Sequence, residues 1–512
     1  MAVFDFIQKN GVGAGFVYKN STNAYQFNGT TFVPIGVNAS FTATVGSGSS
    51  VMTISAVLSG TVAVGQALTG GTLTGTTITS FGTFNGTSGT VNLAIPQTWT
   101  NPTTITATTN YPAITVKGIV YLDGTYYVMD PSGAIYGSGL EDATQWSALN
   151  VVQSRAEPDG GVCLARQANL IVALCSYSTE FFYDAGNPTG SPLSPYPSAF
   201  LEIGCASADS VAQIENNLFF IGVSKAKGRS VYMMEGTHPK IVSTASVDRY
   251  LNLDNLSDVS GYAIKMSGHG FYILTLRTIG ITLVYDFTTG QWAQWTQLTL
   301  STTQSGATFT YANGLVTVTK AAHRFFDGDC IEVTSSTPSG YNGRYVINVP
   351  TPNTFTYNLS FNPGTYTSGA LVANYVETYF NIASYTSGNG FDFVQDSTTG
   401  SVFAIDSGFY LDNNKPIKYG IKTTKFDGGN NKNKNFSVLE IIGDKLPATS
   451  YVRYSNDDYQ TWSFFRPVDM SLKRSKLNRL GQGRRRAFEV INYDNQPIRM
   501  ESLELTIEEG AY

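Results

Sequence analysis

The most constraining feature of this chain is a strand–turn–strand unit that recurs at a wide, fairly regular spacing. Tyr126-Tyr-Val-Met-Asp130 turns through Pro131-Ser-Gly133 into Ala134-Ile-Tyr136. Leu170-Ile-Val-Ala-Leu174 is followed by Thr179-Glu-Phe-Phe-Tyr183. Leu218-Phe-Phe-Ile-Gly222 leads across Lys225-Ala-Lys-Gly228 to Ser230-Val-Tyr-Met-Met234, and Phe271-Tyr-Ile-Leu-Thr275 across Gly280 to Ile281-Thr-Leu-Val-Tyr285. Marking each first strand at its second residue gives positions 127, 171, 219 and 272, in steps of 44, 48 and 53 residues. That is the length of a four-stranded propeller blade. Asp286-Phe-Thr-Thr-Gly290 and Asp396-Ser-Thr-Thr-Gly400 add matching hairpin turns, in which Asp accepts from backbone N–H groups and Gly takes the φ > 0 position.

Composition agrees with an all-β chain. Charged residues make up 13% of the 512, with Lys+Arg 32 and Asp+Glu 37, about half the ~25% of an average soluble domain. Aromatics also reach 13%, which excludes the charge-rich, aromatic-poor signature of disorder. Long helical proteins are rich in Ala, Glu, Lys, Leu and Arg. Here Thr, Tyr, Val and Phe suit strands, and Gly and Asn suit turns. The net charge of -5 and pI near 5.4 argue against a protein that wraps nucleic acid. Met1-Ala-Val-Phe-Asp-Phe has neither a basic n-region nor an apolar h-region, so no signal peptide is expected. No run approaches 18 apolar residues, so no membrane-spanning helix is expected. Cys163, Cys175, Cys205 and Cys330 show no CxxC spacing. They read as buried small hydrophobes in a chain made in a reducing cytoplasm.

Two segments break the blade rhythm. Residues 38–110 and 301–374 are Thr-, Gly- and Ser-rich and nearly uncharged, with strands such as Ser49-Ser-Val-Met-Thr-Ile-Ser55 and Leu315-Val-Thr-Val-Thr319. A low-complexity linker is the bland alternative for the first. Its alternation of Val, Ile and Leu with Thr can bury one sheet face, which favours a folded module. Each segment follows an early strand with a similar string, Gly65-Gln-Ala-Leu68 in one and Gly328-Asp-Cys-Ile331 in the other. The expected fold is therefore a β-propeller core with two inserted small β-barrel or sandwich modules. First propeller strands occupy 1–37, with an Asn28-Gly29 turn; the first module fills 38–110. Blades run over 111–300, resuming at Ile114-Thr-Val116. The second module fills 301–374, and remaining blades with closing strands occupy 375–512. The start leaves two readings open, a chain beginning partway through a blade or a trimmed product.

Catalytic constellations are missing from the sequence. His238, His269 and His323 sit in no HxxxH or HExxH setting, and read as loop or packing residues. Gly46-Ser-Gly-Ser-Ser50 is no nucleophile elbow. Gly11-Val-Gly-Ala-Gly15 is not a dinucleotide fingerprint. Glu141-Asp142 and Asp457-Asp458 are adjacent, so on strands they face opposite sides. No catalytic, cofactor or metal residue is assigned. One charge feature stands out: Lys473, Arg474, Lys476, Arg479, Arg484, Arg485 and Arg486 place seven of 32 basic residues within 14 positions. They are candidates for contact with a partner or with DNA phosphates. The alternative is a solvated loop or an inter-subunit ion-pair network, for which Leu503-Glu-Leu-Thr-Ile507 with Glu508-Glu509 offers an acidic complement.

Ser455-Asn-Asp-Asp-Tyr-Gln-Thr-Trp462 resembles the Asp-box hairpin of many β-propellers, with Tyr459 in place of the usual Gly. A longer stretch, Leu201-Glu-Ile-Gly-Cys-Ala-Ser-Ala-Asp-Ser-Val-Ala-Gln-Ile-Glu-Asn-Asn-Leu-Phe-Phe-Ile-Gly222, then Gly228-Arg-Ser-Val-Tyr232 and Pro239-Lys-Ile-Val-Ser243, resembles the packaged-DNA-stabilisation proteins of short-tailed bacteriophages. These are also called tail accessory or tail-nozzle (hub) proteins. Tyr454-Ser-Asn-Asp-Asp458, Trp462, Arg479-Leu-Gly481, Arg486-Ala-Phe488 and Leu503-Glu-Leu505 resemble that family's end. The resemblance implies a virion tail protein assembled in the host cytoplasm, usually a hexameric ring below the portal and its adaptor. Such a ring extends the DNA channel, retains packaged double-stranded DNA without reading its sequence, and docks fibres, spikes or a needle. The inserts and the short start depart from that pattern. Two other functions compete with it: a fibre-docking or glycan-binding tail protein acting through the inserts, and a propeller glycosidase, for which one imperfect Asp box is too little.

Overall fold

The structure is a computed structural model and describes residues 5–9, 15–27, 29–30, 32–388 and 390–510. Two compact units divide the chain: Met1–Ile279 with Leu283–Ala293, and Gly280–Thr282 with Gln294–Tyr512.

In the first unit, antiparallel sheets follow one another along the chain as propeller blades. Asp5–Lys9, Gly15–Lys19, Ala24–Phe27 and Phe32–Ile35 form one, in sequence order. Val120–Leu122, Thr125–Met129, Ala134–Gly139 and Asp142–Gln153 form the next, then Gly161–Gln167, Leu170–Cys175, Thr179–Asp184 and Leu193–Leu201. Gly204–Cys205, Asn217–Val223, Ser230–Glu235 and His238–Ile241 make a further blade, with Ala212–Ile214 on Asn217–Val223. Val259–Met266, His269–Leu276, Ile281–Asp286 and the start of Gln291–Leu300 follow.

Alternation explains why the central strands read as unbroken apolar runs. Tyr126 and Val128 pack on Val17, Ala24 and Ile35 of the preceding sheet. Their neighbours Tyr127 and Met129 pack on Ile171, Ala173 and Phe182 of the following one. Val172 and Leu174 then meet Leu218 and Phe220, while Phe219 stacks on Tyr272 with ring centroids 5.2 Å apart. A strand with successive side chains on opposite faces, each face covered by another blade, has no polar side. The four strand pairs expected from sequence are all present. The blade resumes later than expected: Ile114 is exposed, and the first strand is Val120–Leu122. Asn28 of the expected turn, and the string at 11–14, lie outside the described residues.

Residues 39–108 form one sheet, in the order Ala39–Gly60, Gly89–Thr108, Ala67–Thr69, Thr76–Phe81. Phe41, Val45, Met52, Ile54, Val91 and Ile105 are part of a core of its own. In the second unit, Thr308–Ala312, Leu315–Thr319, Thr354–Asn358 and Asn348–Thr351 make one sheet, and Cys330–Thr334 pairs with Gly343–Val346 and Leu371–Tyr379. Both contribute to one core, including Phe309, Val318, Ile331, Val333, Phe355 and Val372. The matched strings in the two segments adopt the same local form. Gly65 and Gly328 both have φ +87, and each N–H donates to an isoleucine carbonyl at 2.8 Å, Ile78 and Ile347 respectively.

Beyond residue 375, where further blades are expected, the described residues form a three-stranded meander, Ile382–Gly388, Phe391–Asp396 and Val402–Ile405, and a pair, Leu411–Asp412 with Lys415–Pro416. Residues 419–509 form a sandwich instead. Tyr419–Lys422, Ala487–Asn492, Thr449–Ser455 and Arg466–Asp469 lie side by side in one sheet, and Ser475–Gly483, Lys434–Gly443 and Met500–Glu509 in the other. The order in both sheets departs from the chain order of a blade. Phe436, Leu439, Ile441, Val452, Val468, Leu477 and Val490 fill the space between them. Among the described residues the one α-helix is Ala245–Leu253, capped by the Thr244 side chain, which accepts from the Val247 N–H.

Candidate functional site

The basic run lies on one flank of the sandwich, on and around Ser475–Gly483. Lys473, Arg474, Arg479, Arg484 and Arg485 are exposed and Lys476 is half-buried. Arg474 and Lys476 both reach Glu440 on the neighbouring strand, at 3.2 and 3.5 Å, as the register Glu440↔Lys476 requires. Arg485 pairs with Asp458 at 2.5 Å. Lys473, Arg479 and Arg484 make no ion pair among the described residues.

Arg486 does not belong to this surface. It is 1% exposed. Its guanidinium donates to Asn456 Oδ1 at 2.8 Å, to the Leu480 carbonyl at 2.8 Å and to the Gln482 carbonyl at 3.1 Å. Phe436 and Tyr454 sandwich it, with ring centroids 4.1 and 4.0 Å from its central carbon. Burial pulls its pKa down to about 10, so it keeps its charge at neutral pH. With its donors committed and both faces stacked, it is a structural cation that can touch neither partner nor phosphate. Lys434 is buried in the same way. Its ammonium donates to Asn430 O, Asn430 Oδ1, Lys432 O and Arg484 O at 2.9–3.2 Å.

The Asp-box-like hairpin holds itself together as its residues imply. Ser455 Oγ donates to Asp457 Oδ1 at 2.8 Å and accepts from the Tyr459 N–H at 3.0 Å; the Thr461 N–H donates to Asp457 Oδ1 at 2.9 Å. The Thr461 hydroxyl bonds the other carboxylate oxygen. These bonds, those from Thr461 foremost, hold the Asp457 carboxyl down at about 2. Tyr459 has φ +70, the conformation for which the usual glycine is suited. Asp286 and Asp396 hold their turns alike: each accepts from two following threonine N–H groups, and Gly290 and Gly400 sit at φ +72 and +71.

Other polar groups singled out from the sequence are bonded within the chain. His323 is buried, with Nδ1 accepting from the Phe325 N–H at 3.0 Å and Nε2 facing the Thr351 carbonyl at 3.2 Å. His269 Nδ1 meets Asp286 at 2.8 Å. Glu141 accepts from the Tyr121 hydroxyl at 2.6 Å, and Asp142 from the Thr144 N–H at 2.8 Å. All four cysteines are buried and unbridged; burial raises the Cys175 thiol to about 11 and Cys205 and Cys330 to about 12. Among the described residues no His, Cys, Asp or Glu grouping could hold a metal ion. No helix among the described residues is long and apolar enough to cross a membrane.

No curated protein matches the chain. Among solved structures, a mitotic checkpoint complex chain covers 78% of this chain and 94% of its own, at 9% identity and a TM-score of 0.29. The computationally designed Ika8 protein stands at 12% identity and 0.26, covering 76% and 94%. An exo-beta-1,3-galactanase from Phanerochaete chrysosporium stands at 10% and 0.22, covering 77% and 96%. Overlaps this loose carry no argument about fold or chemistry. The family comparison is of another kind: residues 4–325, more than half the chain, match the family described as bacteriophage P22 Gp10, beta-propeller. The consecutive meander sheets lie within that span, and the chain belongs to this family of phage stabilisation proteins.

Proposed function

We propose that the chain is a virion structural subunit of the tail nozzle or hub. In this reading copies form a ring, hexameric as the resemblance implies, below the portal-adaptor. The ring extends the DNA channel, helps retain packaged DNA and docks a fibre, spike or needle protein. It assembles in the host cytoplasm, acts in the virion tail and performs no catalysis. The observation that carries the proposal is family membership over the blade-bearing residues 4–325. Residues 38–110 and 301–374 act as modules inserted in that propeller, and Lys473, Arg474, Lys476, Arg479, Arg484 and Arg485 as partner or phosphate contacts.

Passage of DNA fits a chain poor in cations, since each phosphate contact adds affinity that would hold the duplex. Electron microscopy of the purified protein and of the virion tests the reading. A ring of subunits on the tail axis is expected; a monomer, or density on fibres alone, overturns it. The isolated subunit is also expected to bind duplex DNA only weakly at physiological salt, and submicromolar, sequence-independent binding in a filter assay contradicts that. For the glycan-binding reading, exposed Trp or Tyr in the two modules would be the natural platform. Trp99 is buried and bonded to the Ala43 carbonyl, and Tyr311, Tyr341, Tyr345, Tyr357 and Tyr366 are all buried or half-buried.

A further inference from the structure

The three-stranded sheet of the C-terminal sandwich has unlike margins. Lys434–Gly443 is its centre, Ser475–Gly483 one edge and Met500–Glu509 the other. On the first edge Lys473, Arg479 and Arg484 are exposed and make no ion pair among the described residues. On the second, Glu504 and Glu508 are exposed and equally without one. Leu503, Leu505 and Ile507 of that strand lie against the core but are only partly buried. Register places Glu504 opposite Glu440, whose carboxylate already serves Arg474 and Lys476. The sheet therefore ends in unsatisfied cations on one side and unsatisfied carboxylates on the other, two strand spacings or about 10 Å apart.

The first edge is also engaged through its backbone. The carbonyls of Asn478 and Arg479 accept from the Arg466 guanidinium at 2.7 and 3.2 Å, and those of Leu480 and Gln482 from Arg486. Four carbonyls of this strand are thus engaged by arginines of the same chain, which leaves its charged side chains as its most accessible contacts. A nucleic acid is a poor occupant, because a polyanion drawn to Arg479 and Arg484 comes within roughly a Debye length or two of the carboxylate margin. A surface carrying the same two margins matches both.

We propose that copies of this chain meet head to tail, the acidic strand Met500–Glu509 of one lying against the basic flank of Ser475–Gly483 of the next. The proposal rests on the ring-forming reading above and supplies it with a contact. Unlike patches meeting in one direction make a heterologous interface, which closes into a ring when the rotation permits.

Charge reversal tests it. Arg479→Glu with Arg484→Glu makes the flank acidic; Glu504→Lys with Glu508→Lys makes the edge basic. Sedimentation should show each double variant weakened in self-association on the order of a hundredfold, with far-UV circular dichroism and melting unchanged. The chain carrying all four substitutions should assemble again, a rescue that a merely structural role does not give. Double variants that assemble like the parent, or a quadruple variant no better than the doubles, overturn the contact while leaving the ring intact. A parent chain that is monomeric at every concentration removes the ring reading itself. Loss of tight duplex binding in the flank variant, with assembly unchanged, assigns the cations to phosphates instead and overturns the proposal.

Discussion

Strands Asn217–Val223 and Phe391–Asp396 are both central in antiparallel sheets, and each carries two phenylalanines. In the first, Phe219 and Phe220 are both 0% exposed, one facing each neighbouring blade. In the second, Phe391 and Phe393 share a face with Val402, which lies opposite Gln395 on the paired strand; Phe391 is 62% and Val402 63% exposed. Val394, on the opposite face, is the buried one. Similar residues thus have different energetic weight. What decides is whether a second layer covers the face, because burial stabilises in proportion to apolar area removed from water.

The largest expected contrast comes from truncation. Phe220→Ala should cost about 3–5 kcal/mol in denaturant unfolding, through lost transfer energy and a cavity between two blades. Phe391→Ala should stay within about 0.5 kcal/mol, as surface changes do. Equal losses at both would show that coverage does not decide. A smaller contrast comes from adding a methyl group. A Cβ on Gly222 meets the Tyr232 ring at 2.3 Å, whereas one on Gly388 meets nothing within 4 Å. Gly222→Ala is expected to destabilise by about 1–3 kcal/mol. Gly388→Ala should be neutral or stabilise by up to about 1 kcal/mol through the unfolded chain; the two melting temperatures check this.

The smallest expected difference lies in the turns, whose bonds are local. Burial opposes ionisation of Asp286, but bonds from the Thr289 hydroxyl, His269 and the turn N–H groups outweigh it, so its carboxyl sits below the ordinary value of 3.8. Burial likewise opposes ionisation of Asp396, and bonds from Thr399 and Thr398 prevail. A carboxyl depressed in the folded state adds stability above its unfolded value and loses it as pH falls through the folded one. Melting temperature should therefore be insensitive to these groups from pH 7 to about 5 and fall below about 4. Asp286→Ala and Asp396→Ala should each cost about 1 kcal/mol at pH 7, as loss of a helix cap does. They should agree within about 0.5 kcal/mol, and a wide gap would mean that the sheets reach into their turns.

Much of the fold was legible because blades are local: strand, turn and strand follow within a few residues, and runs such as Leu218-Phe-Phe-Ile record burial on both faces. The sandwich at 419–509 was not, since Lys434–Gly443 pairs with Met500–Glu509 across dozens of residues with no turn between them to read. The basic run was visible as composition, but its division was not. Nothing local separates Arg484, which is exposed, from Arg486, which is buried between Phe436 and Tyr454. The rings that hold Arg486, Phe436 and Tyr454, are remote from it in sequence, so no local pattern marks the site. Lys434 gave none either, because three of its four acceptors are backbone carbonyls. The helix Ala245–Leu253 was signalled weakly by Thr244 ahead of Val247 and Leu251, whose four-residue spacing puts both on its buried face.

The arginines that fill the carbonyls of Ser475–Gly483 have a consequence for solubility. An exposed strand with free acceptors is a template on which identical chains can stack without limit, as cross-β fibrils do. Here Arg466 and Arg486 occupy four of the strand's carbonyls from within the same molecule, which weakens it as such a template. Encounters on this side run through exposed charges, and salt weakens such contacts.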